Sequence, residues 1–148
     1  MAGILVGSAL ISVTVTGCAG TSRSAAEASS DAAALSVTSG RGVQKVTQDS
    51  FEAQVLNSPR PTVVMATASW CNACRSMAPI FDDVAGGPFA KVANFVTIEL
   101  PDNPDIASRY GLRVLPAFLI VKNGQIVATR DGFTSKPAFM EWIDSSAR

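Results

Sequence analysis

From Val43 onward the apolar positions fall into a regular series of spacings. The stretch "VQKVT" (43–47) is a candidate for a short strand. In "DSFEAQVLNS" (49–58), Phe51, Val55 and Leu56 lie at i, i+4 and i+5, a helical stripe that stops at "SPRP". "TVVMATA" (62–68) is an unbroken apolar and β-branched run, expected as a strand buried on both faces. A helix through "RSMAPIFDDVAG" (75–86) places Met77, Ile80, Phe81 and Val84 on its inner side, and Pro79 within it is expected to kink it. "KVANFVTIEL" (91–100) is a further strand. "PDNPDIASRYG" (101–111) is a short helix entered at Asn103-Pro104, a cap followed by proline in the first turn. Around Asn123-Gly124 the segment "PAFLIVKNGQIVATRDG" (116–132) alternates on both sides of a turn pair, the pattern of a β-hairpin. Last, "TSKPAFMEWIDSSA" (134–147) carries Phe139, Trp142 and Ile143 as a helical stripe behind Thr134 or Ser135 as the cap.

The order is β-α-β-α-β-α-β-β-α. Such alternation predicts an α/β fold with a mixed central sheet, mostly parallel, covered on both faces and closed by an antiparallel hairpin at one edge. This globular domain occupies residues 43–148, and no segment within it repeats. A chain of 148 residues has room for one such core beside whatever precedes it.

What precedes it is different in kind. Residues 19–42, "AGTSRSAAEASSDAAALSVTSGRG", are rich in Ala, Ser and Gly, without an aromatic residue or a sustained apolar face. They are expected to form a tether holding the domain on the order of 25–30 Å from its attachment point. Residues 1–17 carry no charge, and the first basic residue is Arg23. The run is too short to span a bilayer comfortably and suits the apolar core of an export signal. It ends in Val15-Thr16-Gly17-Cys18, which resembles the lipobox of bacterial lipoproteins: an aliphatic residue, two small ones, and the cysteine that receives the lipid. No Lys or Arg follows Met1, a departure that a true start further upstream would account for. The resemblance implies a signal peptide over 1–17, lipidation at Cys18 and a protein anchored in the bacterial cell envelope, facing the periplasm or the exterior.

Twelve basic and twelve acidic residues cancel, with no run of like sign, so nothing suggests a nucleic-acid footprint. The chain has three cysteines and no histidine. With Cys18 consumed by an anchor, Cys71 and Cys74 remain, in "WCNAC", and four readings of that pair compete. A zinc site needs four ligands, which one chain without histidine or further thiols does not supply. Covalent haem attachment needs a histidine after the second cysteine, where Arg75 stands. An inert disulfide would close a tiny loop and add little stability. A redox couple accounts for the placement. A cysteine at the first turn of a helix, just after a buried strand, meets unpaired N–H groups and the positive end of the helix dipole, and both favour thiolate. Cys71 would be the nucleophile at the carboxyl end of the strand, where sites of such sheets lie. Cys74, one turn on, would attack the mixed disulfide and release the product. Arg75 adds positive charge beside them.

Taken with this element order, "SWCNACRSMAPIFDDVA" and "YGLRVLPAFLIVKNGQIVATRDG" resemble the active-site helix and the closing hairpin of the thioredoxin superfamily, over about Val43 to Ala147. The resemblance implies a thioredoxin fold with no cofactor beyond the dithiol and no metal. It makes Cys71 and Cys74 the attacking and resolving cysteines, joined as a disulfide when oxidised. Trp70 would pack beside them. Pro116 would be the family's cis-proline, turning the Leu115 backbone outward so that a substrate peptide can pair with it as an added strand. Gly124 and Gly132 look like turn and bulge glycines. Two departures stand out. Thioredoxins proper carry Gly-Pro between the cysteines, where this chain has Asn72-Ala73, so redox poise does not transfer. They also bury an aspartate on the strand before the site, paired to a lysine on the next; the matching positions are Met65 and Thr97. Losing both charges together avoids burying an unpaired ion, but deprives Cys74 of its base. Glu99, two residues beyond Thr97 on the same strand face, is the candidate to replace it.

The expected activity is an extracytoplasmic, membrane-tethered thiol–disulfide oxidoreductase that reduces protein disulfides of the cell envelope. Because that compartment is oxidising, a membrane thiol-relay protein would have to supply the electrons. A monomer is expected. Two other readings stay open: an oxidase or isomerase donating its disulfide, disfavoured by the lack of a histidine between the cysteines, and a binding or chaperone module in which the cysteines are idle.

Overall fold

The computed structural model describes residues 42–133 and 135–148. The signal segment, Cys18, the tether except Gly42, and Thr134 lie outside the described residues. Five strands form one sheet: β1 (Gln44–Val46), β2 (Thr62–Thr67), β3 (Asn94–Glu99), β4 (Ala117–Lys122) and β5 (Gln125–Asp131), in the spatial order β1-β3-β2-β4-β5. The helices are α1 (Gln48–Phe51), α2 (Asn72–Gly86), α3 (Pro104–Tyr110) and α4 (Lys136–Ala147). The element order is the expected one.

The sheet is less parallel than the pattern suggested. β1, β3 and β2 run parallel, but β4 pairs antiparallel with β2, and β5 antiparallel with β4. The hairpin therefore contributes an interior strand, β4, as well as the edge. That is why "AFLIV" is buried along its whole length, whereas β5, at the edge, alternates half-buried and exposed. At the turn between them Asn123 and Gly124 both take left-handed backbone, with φ of 53° and 77°. This is the geometry that matches the twist of a two-residue hairpin.

Alternation along the buried strands divides the core in two. Val64, Ala66, Val96, Ile98, Leu119 and Val121 face one side, against Phe51, Val55, Ile106 and Leu112. Val63, Met65, Phe95, Phe118 and Ile120 face the other, against Met77, Phe81 and Val84 of α2 and Phe139 and Ile143 of α4. On this second side the aromatic rings are in mutual contact; Phe118 lies 5.2 Å from Phe139 and 5.0 Å from Phe133 between ring centroids. Lys136 of α4 pairs with Asp83 of α2 at the surface. The helix α2 continues unbroken through Pro79.

Two local details went beyond the sequence pattern. After Phe51 the chain widens into a π-helical turn over Glu52–Leu56, keeping Phe51 and Val55 on the core. Ser135 caps α4 through its Oγ, but Asn103 does not cap α3 with its side chain. Its Oδ1 instead accepts from the Gln48 N–H at 2.6 Å, and its Nδ2 donates to the Glu99 carbonyl at 2.6 Å. Asn103 is 3% exposed, so it ties the start of α1 to the end of β3 out of reach of water. Asn103→Ala is expected to lower the unfolding free energy by about 1–2 kcal/mol, because two partly buried backbone groups lose their partner. A urea titration showing an unchanged midpoint would contradict that assignment.

Candidate functional site

The topology brings three chain segments to one end of the sheet. β2 ends at Thr67, and the chain then turns sharply, the Cys71 N–H donating to the Ala68 carbonyl at 3.0 Å. β3 ends beside it at Glu99, which is in register with Thr67. Because β4 runs antiparallel to β2, its first residue, Ala117, is the partner of Ala66. The segment that enters β4, Leu115-Pro116, is thereby delivered to the same place.

Cys71 is the N-cap of α2, and its Sγ accepts the Cys74 N–H at 3.1 Å. The two sulfurs form a disulfide across a Cα–Cα distance of 5.3 Å. Cys71 is 6% exposed and Cys74 2%, so the outer cysteine is less open than a position at a helix mouth suggests, while remaining the more accessible of the two. Ala68, Cys71 and Cys74 form a small apolar cluster of their own, and Leu115 packs on it. The Leu115–Pro116 peptide bond is cis, and the Pro116 carbonyl accepts the Gly132 N–H at 2.8 Å. Gly132 reaches this position with φ of 64°, a conformation that suits glycine. Trp70, at the outer corner of the turn, is 69% exposed and presents most of its ring to solvent.

Met65 and Thr97 are register partners on β2 and β3, as the resemblance to thioredoxins implied. Met65 is 3% exposed among Met77, Phe81 and Phe118. Glu99 is placed differently from expectation: its Oε1 accepts a hydrogen bond from the Ser69 N–H. The carboxylate is engaged by the turn before the cysteines and not by Cys74. On the other side of the Ser69 Cα, Arg75 donates from Nη1 to the Ser69 carbonyl at 3.1 Å and from Nη2 to Asn72 Oδ1. The sequence flagged Arg75 only as a nearby charge. Its spacing from Asn72, one helical turn, was the available signal. Among the described residues no group of three or more His, Cys, Asp or Glu side chains could hold a metal ion.

A strand-to-helix junction that presents a two-residue-spaced disulfide, flanked by a cis-proline, defines a dithiol–disulfide exchange protein. Residues 42–145 match the family model for thioredoxin, and the chain belongs to the thioredoxin family. It is 36% identical to a thioredoxin of Rickettsia bellii over 101 residues, 68% of this chain and 95% of that protein. It is likewise 36% identical to a thioredoxin of Rhodospirillum rubrum over 104 residues, 70% of this chain and 99% of that one. The crystal structure of a thioredoxin from Malassezia sympodialis, Mala s 13, superposes with a TM-score of 0.66 at 27% identity, covering 73% of this chain and 94% of the other. The chain is thus a thiol–disulfide oxidoreductase. The family model leaves the first 41 residues uncovered.

Proposed function

We propose that this protein is a lipid-anchored reductase of protein disulfides outside the cytoplasm. One observation carries the chemistry: a sulfur at the N-cap of α2 that already accepts the Cys74 N–H. In the reduced protein the same amide and the helix dipole favour the Cys71 thiolate. That thiolate attacks one sulfur of a substrate disulfide, forms a mixed disulfide and expels the other sulfur as a thiolate. Cys74, deprotonated, then attacks the Cys71 sulfur, breaks the mixed disulfide and releases the second substrate thiol. Two electrons pass to the substrate, and the protein is left as the Cys71–Cys74 disulfide. A dithiol membrane protein would return it to the reduced form. Leu115, partly buried, packs on the cysteines, and exposed Trp70 directly precedes Cys71; the two would form the surface on which an extended substrate peptide lies. Anchoring is supported by the uncharged leader and the Val15-Thr16-Gly17-Cys18 sequence.

The test uses the full chain in a bacterial host. Cys74→Ala should accumulate mixed disulfides with cell-envelope proteins, and an empty trap would refute substrate exchange there. Wild-type chain should partition with membranes and Cys18→Ser should not; equal partitioning would refute the anchor. The direction of electron flow follows from the reduction potential of the couple. A value near that of thioredoxin, about −270 mV, supports reduction, whereas one near the strong oxidases, about −120 mV, supports disulfide donation.

The rate gives a further expectation. With Met65 and Thr97 in place of the charged pair, no buried carboxylate helps Cys74 lose its proton. Insulin reduction is expected to run about tenfold or more slower than with a cytosolic thioredoxin. Equal rates would show that Cys74 has another base.

A further inference from the structure

The residue before Trp70, Ser69, is held through its backbone on both sides of its Cα. The Ser69 N–H donates to the Glu99 carboxylate at the tip of β3, and the Ser69 carbonyl accepts from Arg75 on α2 at 3.1 Å. Arg75 holds Asn72, between the cysteines, with its second nitrogen. One residue of the turn is therefore fastened to the sheet by an anion and to the active-site helix by a cation. The two bonds to Ser69 cross between elements, Glu99 reaching back 30 residues and Arg75 reaching from α2 into the turn. Nothing in the packing of the core requires this arrangement. Glu99 is only half-buried, and Ser69 and Arg75 are exposed.

We propose that Glu99 is a positioning residue for disulfide exchange, acting through the Ser69 amide, with Arg75 as the opposing jaw. The clamp fixes the direction in which the chain enters Cys71. It thereby holds the Cys71 sulfur within reach of Cys74, in the geometry seen here with the Cys74 N–H on Cys71 Sγ. Closing the disulfide, and resolving a mixed disulfide, are both intramolecular steps whose ease depends on how often the two sulfurs meet correctly. A loosened turn lets Cys71 wander and lowers that frequency. The inference rests on exchange between Cys71 and Cys74 and holds whichever way electrons flow.

Three variants and one combination test it. Glu99→Leu removes the acceptor. Glu99→Gln keeps an acceptor oxygen at the same place and should restore most of the function. Ser69→Pro removes the donor alone, at the second position of a turn closed by Cys71 on Ala68, where proline is well suited. For Glu99→Leu and for Ser69→Pro, the equilibrium constant for forming the Cys71–Cys74 disulfide against glutathione should fall about threefold to tenfold, with a matching slowing of mixed-disulfide resolution. The double variant should lose no more than either single one, because one hydrogen bond is broken once. Wild-type constants in Glu99→Leu would overturn the proposal. So would Glu99→Gln matching Glu99→Leu, since charge and not position would then be at work, and so would additive losses in the double variant. A wild-type protein that forms the disulfide against glutathione but fails to reduce insulin would refute the reductase reading while leaving the clamp to be judged by the same constants.

Discussion

Cys71→Ser is expected to abolish disulfide exchange, lowering insulin reduction by about 10³-fold or more, whereas Cys74→Ala should spare the first step. The asymmetry follows from where the two sulfurs sit. Cys71 caps α2 and receives the Cys74 N–H; Cys74 is 2% exposed, further inside the cluster formed with Ala68 and Leu115. An incoming disulfide therefore meets Cys71 first. In a single-turnover assay with a disulfide substrate, Cys74→Ala should capture about one equivalent as a mixed disulfide and hold it, and Cys71→Ser should capture none. The hydroxyl of serine, far less acidic than a thiol, gives too little anion at neutral pH to replace the nucleophile. Equal capture by the two variants would mean that Cys74 is reachable from solvent, and the assignment of attacking and resolving roles would be lost.

Much of this was legible in the sequence because it depends on local pattern. The element order, the Asn123-Gly124 turn and the junction of a buried strand with Cys71 all follow from spacing and turn chemistry within a dozen residues. The pairing of Met65 with Thr97 was legible for another reason: the resemblance to thioredoxins places the family's buried aspartate and lysine at those two positions. What stayed hidden depends on contacts between residues far apart in the chain. No periodicity says that β4 inserts antiparallel beside β2, because a fully apolar strand reads alike in either direction. Asn103 looked like a cap since Asn-Pro commonly opens helices, and only the approach of Gln48 and Glu99 shows that its amide is used elsewhere. Glu99 was found for its place on the β3 face, but its partner, Ser69, lies across the sheet end in a loop with no pattern at all.

The largest stability effect is expected at Met65. Its side chain is 3% exposed, in register with Phe118 on one side and Thr97 on the other, and packed with Met77 and Phe81. Met65→Leu conserves volume and should cost less than about 1.5 kcal/mol. Met65→Asp removes apolar burial and puts a carboxyl among aromatic and thioether groups, at about 3–5 kcal/mol near neutral pH. Desolvation disfavours the charged form, so the folded pKa of the new carboxyl would be raised above its unfolded value. The sign follows: the folded state binds the extra proton, so the variant's deficit is smallest below the unfolded pKa and grows as pH rises toward the raised one. Urea midpoints should therefore fall between pH 4 and pH 8 in Met65→Asp, by more than in wild type. Adding Thr97→Lys places a cation on the facing strand, where a half-buried position lets the long side chain keep its head near water. The double variant should recover about 0.5–3 kcal/mol relative to the sum of the two single losses. Additive losses would show that positions 65 and 97 do not meet across the strands. A favourable coupling would explain why the chain that lacks the cation also lacks the anion: a carboxylate alone at position 65, lodged against Phe118, is left without a partner.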